Sequence, residues 1–414
     1  MKKCLILLIV LVCFSVFVSS NTLAANPDKI KIGILLPLTG TFAAVAQTQR
    51  EGALLAIDVV NKKGGLKMPW GNVKVEGVVY DDEAKLDVGV RRYRYMVGEG
   101  VKGVGGQTWA PLSFAINAVV KKDPMPYFPV CVMAKEAFEK GKLSDSTFAT
   151  AFSPWTVGYM DGSAAISVLG KKRIFNLARA DSWGWDIRDG VYAAAKEKGA
   201  EIVGYAEVPL GTSDFTTILQ KVRAAKPDVF ISAQFGGDAV ALLKQCYEMG
   251  LNKEMTIFNA WITNVVAKGI PPQALEGIYS MHFFYYDLSG FGDKEVAKSA
   301  KEYTELYQAK YKTPPDAYAT IAYIAYREML RGFEAGQSFE PKKVTAALMA
   351  NKGAFTSVKG PARWREDHGA VYKYAGFLVR GKGPNEQKHG WDLFKVLGFQ
   401  GGDSVMPTLK SLGY

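Results

Sequence analysis

From Lys29 onward, short apolar runs of strand length alternate with longer segments whose apolar residues recur at helical spacing. That alternation builds parallel sheets with helices on both faces, and few other folds accommodate it. Residues 30–36 are almost continuously apolar, as suits a strand buried on both sides. A Pro37-Leu38-Thr39-Gly40 turn follows, then a helix over 47–62 that places Ala53, Leu54, Ile57 and Val60 on one face and stops at Gly64-Gly65. Residues 73–80 give a second strand, 88–97 a helix, 101–105 a strand, a further helix starts near Pro111, and 127–133 is a strand.

After 144–152 the beat restarts, with helices over 157–169, 185–198, 215–225 and 238–249 interleaved with strands at 173–177, 201–208, 228–233 and 255–258. Two βα series of similar size imply two similarly built lobes. A strand at 277–284 then leads into helices over 294–311 and 317–333 that have no strand series of their own. They are expected to cover the first lobe's sheet, so that the chain crosses between lobes more than once, with a last return through 357–360 to a strand at 372–379.

The chain's length fits this division, since 414 residues at about 150 per domain make two or three units. Ahead of the beat, Met1-Lys2-Lys3 and an apolar run from Cys4 to Val18 have the form of a secretory leader, with cleavage expected after Ala24 or Ala25. The run is shorter than the roughly 20 residues of a membrane span. A soluble periplasmic protein is therefore expected. Of four cysteines, Cys4 and Cys13 belong to the leader, while Cys131 and Cys246 lie in apolar stretches where a disulfide and two buried thiols are both open. The formal net charge of +11 is spread over short basic clusters such as Arg91-Arg92-Tyr93-Arg94, which read as solvated surface and argue against a nucleic-acid partner.

Gly98-Glu99-Gly100-Val101-Lys102-Gly103 matches a dinucleotide fingerprint in letters only. The fingerprint needs a strand before the glycines and a helix opening at them, whereas here the helix precedes and the strand follows. No nucleophile elbow, zinc-protease, phosphate-loop or CxxC motif is present, and the three histidines are far apart, so neither a catalyst nor a metal or other cofactor is expected. What recurs instead is aromatic residues where strands end: Thr108-Trp109, Trp183 and Trp185, Phe235 and Trp261. Ligands of open α/β sheets lie beyond the carboxyl ends of the strands, so these side chains are expected to face a shared cleft.

The segments Ile32-Gly33-Ile34-Leu35-Leu36-Pro37-Leu38-Thr39-Gly40, Asn61-Lys62-Lys63-Gly64-Gly65, Gly211-Thr212-Ser213-Asp214-Phe215 and Gly360-Pro361, in this order and spacing, resemble the periplasmic receptors for leucine, isoleucine and valine and their amino-acid and amide-binding relatives. The resemblance runs from Lys29 to about Arg380. It implies a type I fold: two doubly wound parallel-sheet lobes, 27–148 plus 283–357 and 149–282 plus 358–414 after a leader at 1–24, joined by three crossovers near 147–152, 277–283 and 356–363. It also implies hinge closure over a small molecule and delivery to an ABC permease in the inner membrane; a monomer is expected.

Binding roles carry over only in part. The hydroxyl that holds a ligand carboxylate in amino-acid-binding members corresponds to Thr108, and the loop that faces the ammonium corresponds to Cys131, Val132 and Met133, without the family's threonine. Trp261 stands where an acidic residue usually neutralises the ammonium. Burying an ammonium without a partner costs several kcal/mol, so the expected ligand is a carboxylate or neutral molecule with an apolar or aromatic body, stacked by Trp109, Trp183 or Trp261. A sensor domain of the same fold and an amidase-type enzyme are the alternatives.

Overall fold

A computed structural model describes residues 26–40, 42–131 and 133–414. The leader and its cleavage site, and Val132 of the expected site, lie outside them. Among the described residues no helix is long and apolar enough to cross a membrane.

The first sheet comprises β1 (Lys29–Leu36), β2 (Leu66–Met68), β3 (Gly71–Asp81), β4 (Val104–Gly106) and β5 (Tyr127–Pro129), in the order β2-β3-β1-β4-β5. All its pairings are parallel except the short β2–β3 hairpin. Helices α1 (Ala43–Lys62), α2 (Leu86–Gly98) and α3 (Ala110–Lys122) make the connections. β5 ends at Pro129, earlier than the apolar run to Met133 suggests. Its partner β4 ends at Gly106, so past Pro129 the pairing finishes with the Val130 amide donating to the Gly106 carbonyl at 2.8 Å. The apparent dinucleotide fingerprint is the end of α2 and the approach to β4.

The chain then passes through α4 (Pro154–Ser167) into a second sheet. Its parallel strands are β6 (Arg173–Arg179), β7 (Glu201–Val208), β8 (Val229–Ser232), β9 (Thr256–Asn259) and β10 (Tyr279–His282), linked among others by α5 (Ser182–Lys198), α6 (Thr216–Ala225) and α7 (Gly237–Glu248). After β10 the chain returns to the first sheet, where the Ala317–Gly336 helix lies along α1 and against β2, β4 and β5. A Cβ on Gly52 of α1 would fall 2.0 Å from the carbonyl oxygen of Ala319, so only glycine permits this approach.

A three-stranded meander, β11 (Ala354–Ser357), β12 (Gly360–Trp364) and β13 (Ala370–Tyr372), precedes the third crossing. The chain ends in the second sheet with β14 (Gly376–Gly381) and β15 (Phe394–Gln400), both antiparallel, giving the order β15-β14-β10-β9-β8-β6-β7. β15 lies in the tail that resists reading from sequence. It is an edge strand with one face in solvent, and its apolar pattern is correspondingly thin.

The crossovers meet around Lys359. Its ammonium is fully buried and donates to the carbonyls of Phe283 and Ala375, each at 2.6 Å, with the Phe283 ring centroid 3.5 Å away. Burial pushes this amine well below the usual lysine value. The two carbonyls and the ring face supply what water no longer does.

Each sheet has one switch point. In the first, β1 connects toward β3 and β4 connects the other way toward β5, opening a crevice between β1 and β4. In the second, β6 connects to β7 and β8 connects toward β9, opening one between β6 and β8. Ligands of doubly wound sheets lie in such crevices.

Candidate functional site

Residues from both switch points line one hollow of about 180 Å³. Phe42 comes from the β1–α1 connection, Thr108, Trp109, Ala110 and Pro111 from β4–α3, Arg179, Asp181, Ser182 and Trp183 from β6–α5, and Phe235 from β8–α7. Tyr318, at the start of the Ala317–Gly336 helix, completes the wall. A larger hollow of about 650 Å³ lies elsewhere, against charged side chains of the same helix that include Arg327, Arg331 and Glu334, and touches neither switch point.

On the first wall the backbone bends sharply after β4. Gly106 has φ +140° and a Cβ there would sit 1.9 Å from the Leu35 carbonyl oxygen, while Gln107 adopts φ +59°. This turns Thr108 and Trp109 off the end of the sheet. The Thr108 hydroxyl donates to Gln49 Oε1 at 2.5 Å, and Gln49, fully buried on α1, donates through Nε2 to the Val130 carbonyl at 2.8 Å. That second bond orients the amide and so assigns the Thr108 proton. Trp109 is the N-cap residue of α3, extended at φ −111° and ψ 119°, and no side chain caps the helix. Pro111 has no N–H, which leaves the amides of Ala110 and Leu112 and the positive end of the helix dipole at the hollow.

The second wall is charged and internally paired. Asp181 caps α5 by accepting from the Gly184 amide at 3.1 Å, and its other oxygen accepts from Arg179 Nε at 2.6 Å. Both carboxylate oxygens are thereby engaged. Trp183 donates through Nε1 to the Ala233 carbonyl at 3.0 Å, which fixes the indole plane. Its ring meets Phe235 edge-on at 6.4 Å, Phe235 meets Tyr318 at 6.1 Å, and the Arg179 guanidinium lies 5.9 Å from the Trp183 centroid.

Of the residues expected from sequence, Thr108, Trp109, Trp183 and Phe235 come together in this hollow. Trp261 sits one layer behind. It is fully buried at φ +58°, edge-on to Tyr318 at 6.3 Å and to Phe152 at 5.7 Å, and its indole N–H has no partner among the described residues. Cys131 is buried with its sulfur 3.1 Å from Ser113 Oγ, and burial pushes its thiol up to about 11. Cys246 is buried separately on α7, so the two cysteines are free thiols. Met133 packs in a small cluster with Ala137, Phe138, Ala149 and Leu412, away from the hollow's lining.

Trp185 does not face the cleft as expected. α5 begins at Ser182 rather than at Trp185, and two helical positions differ by about 200° of rotation, so Trp183 and Trp185 cannot share a face. Trp185 is exposed and donates to Glu207 at 3.0 Å. Sequence reasoning also passed over Phe42, Gln49, Arg179, Asp181 and Tyr318. Asp181 carried a usable signal, an N-cap aspartate ahead of a helix, and Arg179 ends the strand before it. Tyr318 carried none. Among the described residues no cluster of metal-ligating side chains occurs, and buried His282 is held down to about 3.

Two doubly wound sheets whose switch points share one hollow define a two-lobed ligand-binding protein. The chain belongs to the periplasmic binding protein family, whose pattern matches residues 29–384. It is similar to the leucine-, isoleucine-, valine-, threonine- and alanine-binding protein of Pseudomonas aeruginosa, at 24% identity over 80% of this chain and 85% of that one. In structure it is similar to an amino acid ABC transporter substrate-binding protein from Pseudomonas fluorescens Pf-5, with a TM-score of 0.81 and 22% identity over 93% of this chain and 98% of that chain. It is also similar to an ABC transporter solute-binding protein from Rhodopseudomonas palustris in complex with benzoate, with a TM-score of 0.74 and 20% identity over 90% and 96% of the two chains.

Proposed function

We propose that this chain is the exported ligand-binding component of an ABC importer of the branched-chain amino acid type, and that its ligand is a small carboxylate with an apolar or aromatic body. The leader at 1–24 would direct export, and the mature protein would work as a monomer that hands its ligand to an inner-membrane permease. We further propose that residues 27–148 plus 283–357 move against 149–282 plus 358–414, closing the hollow about the three crossovers.

Relatives of this fold include an amino-acid binder and a benzoate complex, so the fold leaves the ligand class open and the site must decide it. The observation that carries the choice is the balance of charge in the hollow. Among the described residues its lining offers a guanidinium and an uncapped helix start, while its one carboxylate, Asp181, already has one oxygen bound to Arg179 and the other to the Gly184 amide. An α-amino acid would bring an ammonium whose nearest acid, Asp181, is already paired with Arg179, and taking that charge out of water without a partner of its own costs several kcal/mol. A flat acid would place its ring among Trp109, Trp183, Phe235 and Tyr318 and its charge near the Arg179 guanidinium or the open start of α3.

Isothermal titration of the mature protein with benzoate, cyclohexanecarboxylate and leucine tests this reading. The two acids are expected to bind at micromolar concentration or better and leucine about 100-fold more weakly, the difference left by an unpaired ammonium. Micromolar leucine binding overturns the ligand class.

A further inference from the structure

We infer that Arg179 is a specificity-determining residue that takes the ligand's carboxylate end-on through its two terminal amino groups. The inference rests on the proposed binding role of the hollow and adds which atom of this chain selects for the acid.

Among the described residues Arg179 is the only cationic side chain lining the hollow, and its side chain is 14% exposed. A guanidinium has five N–H donors on a rigid plane. Asp181 uses one of them, at Nε, and Asp181 is itself held by the Gly184 amide. Neither Nη1 nor Nη2 has a hydrogen-bond partner among the described residues. The unoccupied edge is therefore the one with two parallel donors, whose spacing matches the two oxygens of a carboxylate. Trp183 stands beside the guanidinium, anchored by its own bond to the Ala233 carbonyl. Pinned at Nε and flanked by the indole, Arg179 has little freedom left to lose when an anion arrives.

This placement has a chemical consequence on the opposite wall. Because Gln49 takes the Thr108 proton, Thr108 turns lone pairs, not a donor, toward the hollow. A carboxylate fits the Arg179 side better than the Thr108 hydroxyl, and a ligand hydroxyl or amide N–H fits Thr108. The selected class is then a monocarboxylate whose far end is apolar or carries a neutral donor. A zwitterion would set its ammonium against the Arg179 charge.

Titrating wild type, R179K and R179M with benzoate, cyclohexanecarboxylate, leucine and the neutral isostere benzamide tests the inference, with thermal melting of each variant as the folding control. R179M is expected to weaken the acids by about 100-fold and to change benzamide by less than about twofold, because only the acid loses a charge-assisted pair. R179K keeps the charge without the fork and is expected to fall between. Acid affinities within threefold of wild type in R179M overturn the role of Arg179 and leave the ligand class standing. Micromolar leucine binding that R179M leaves unchanged overturns both. Should R179M fail to fold, the acid-to-benzamide ratio in R179K decides: a ratio equal to that of wild type overturns the inference, and a lowered one supports it.

Discussion

The two walls of the hollow are built from the same unit, a parallel strand that turns into a helix at a switch point, yet they treat the helix start in opposite ways. On the first wall α3 begins at an extended tryptophan with no side-chain cap, so its amides face the hollow. On the second, α5 is capped by Asp181, and the carboxylate that satisfies it also binds Arg179. One wall leaves its positive helix end open. The other fills that end with its own acid and presents a guanidinium instead. The lesson is that a shared fold fixes where an anion can lie, while the cap residue decides whether the ligand or the protein supplies it.

Exchanging the two treatments should break the comparison, and its effect is expected to be the largest. Trp109→Asp would give α3 a cap of its own, since the backbone there is already extended. Acid ligands are expected to bind about 1000-fold more weakly, from a lost ring and a like charge beside them. Trp109→Ala loses only the ring and separates the two contributions by titration.

The walls are also joined directly, since the Lys135 amide beyond β5 donates to Asp186 of α5 at 2.8 Å. Burial, opposed by that bond, raises the Asp186 carboxyl to about 6, with Glu136 and Asp189 adding repulsion and the Lys135 charge opposing it. The folded state therefore holds this proton more tightly than the unfolded chain. Its contribution is complete below about pH 4, falls as the pH rises to about 6, and is flat above that, over a range of no more than about 3 kcal/mol. Asp82 and Asp316, also raised to about 6, titrate in the same window. Urea unfolding of wild type and Asp186→Asn at several pH values should show the variant with the shallower fall.

Removing the internal cap comes next. Asp181→Ala is expected to lower stability by about 1–2 kcal/mol, and Asp181→Asn, which can still cap, by a few tenths. Equal losses in the two would show that the Arg179 pair, rather than the cap, holds that wall. The smallest effect is expected from Thr108→Val, which leaves Gln49 Oε1 without its donor and should cost about 1 kcal/mol in thermal unfolding. Acid affinity is expected to change by less than about threefold, because the hydroxyl's proton is already committed to Gln49.

Much of this was legible in the residues. The strand–helix beat gave the architecture because backbone hydrogen bonding and burial impose their periods locally, and the aromatic residues after β4, β6 and β8 lie where parallel sheets expose their ends. Where the reading slipped, the cause was local and small. Placing the start of α5 three residues late put Trp185 on the cleft, and an apolar run that overshot Pro129 extended β5 past its end.

The amino-acid order by itself thus determined the class of fold, the end of each sheet at which a ligand would lie, and the aromatic character of that place. Only the folded chain decided which indole turned inward, that Asp181 would hold Arg179 at Nε with both terminal amino groups to spare, and that Gln49 would claim the Thr108 proton. It also decided that Tyr318, 210 positions beyond Thr108 in the sequence, would close the same wall. Periodicity is a property of neighbours in sequence. Charge balance and hydrogen-bond direction in a cleft are properties of neighbours in space, and no local pattern encodes them.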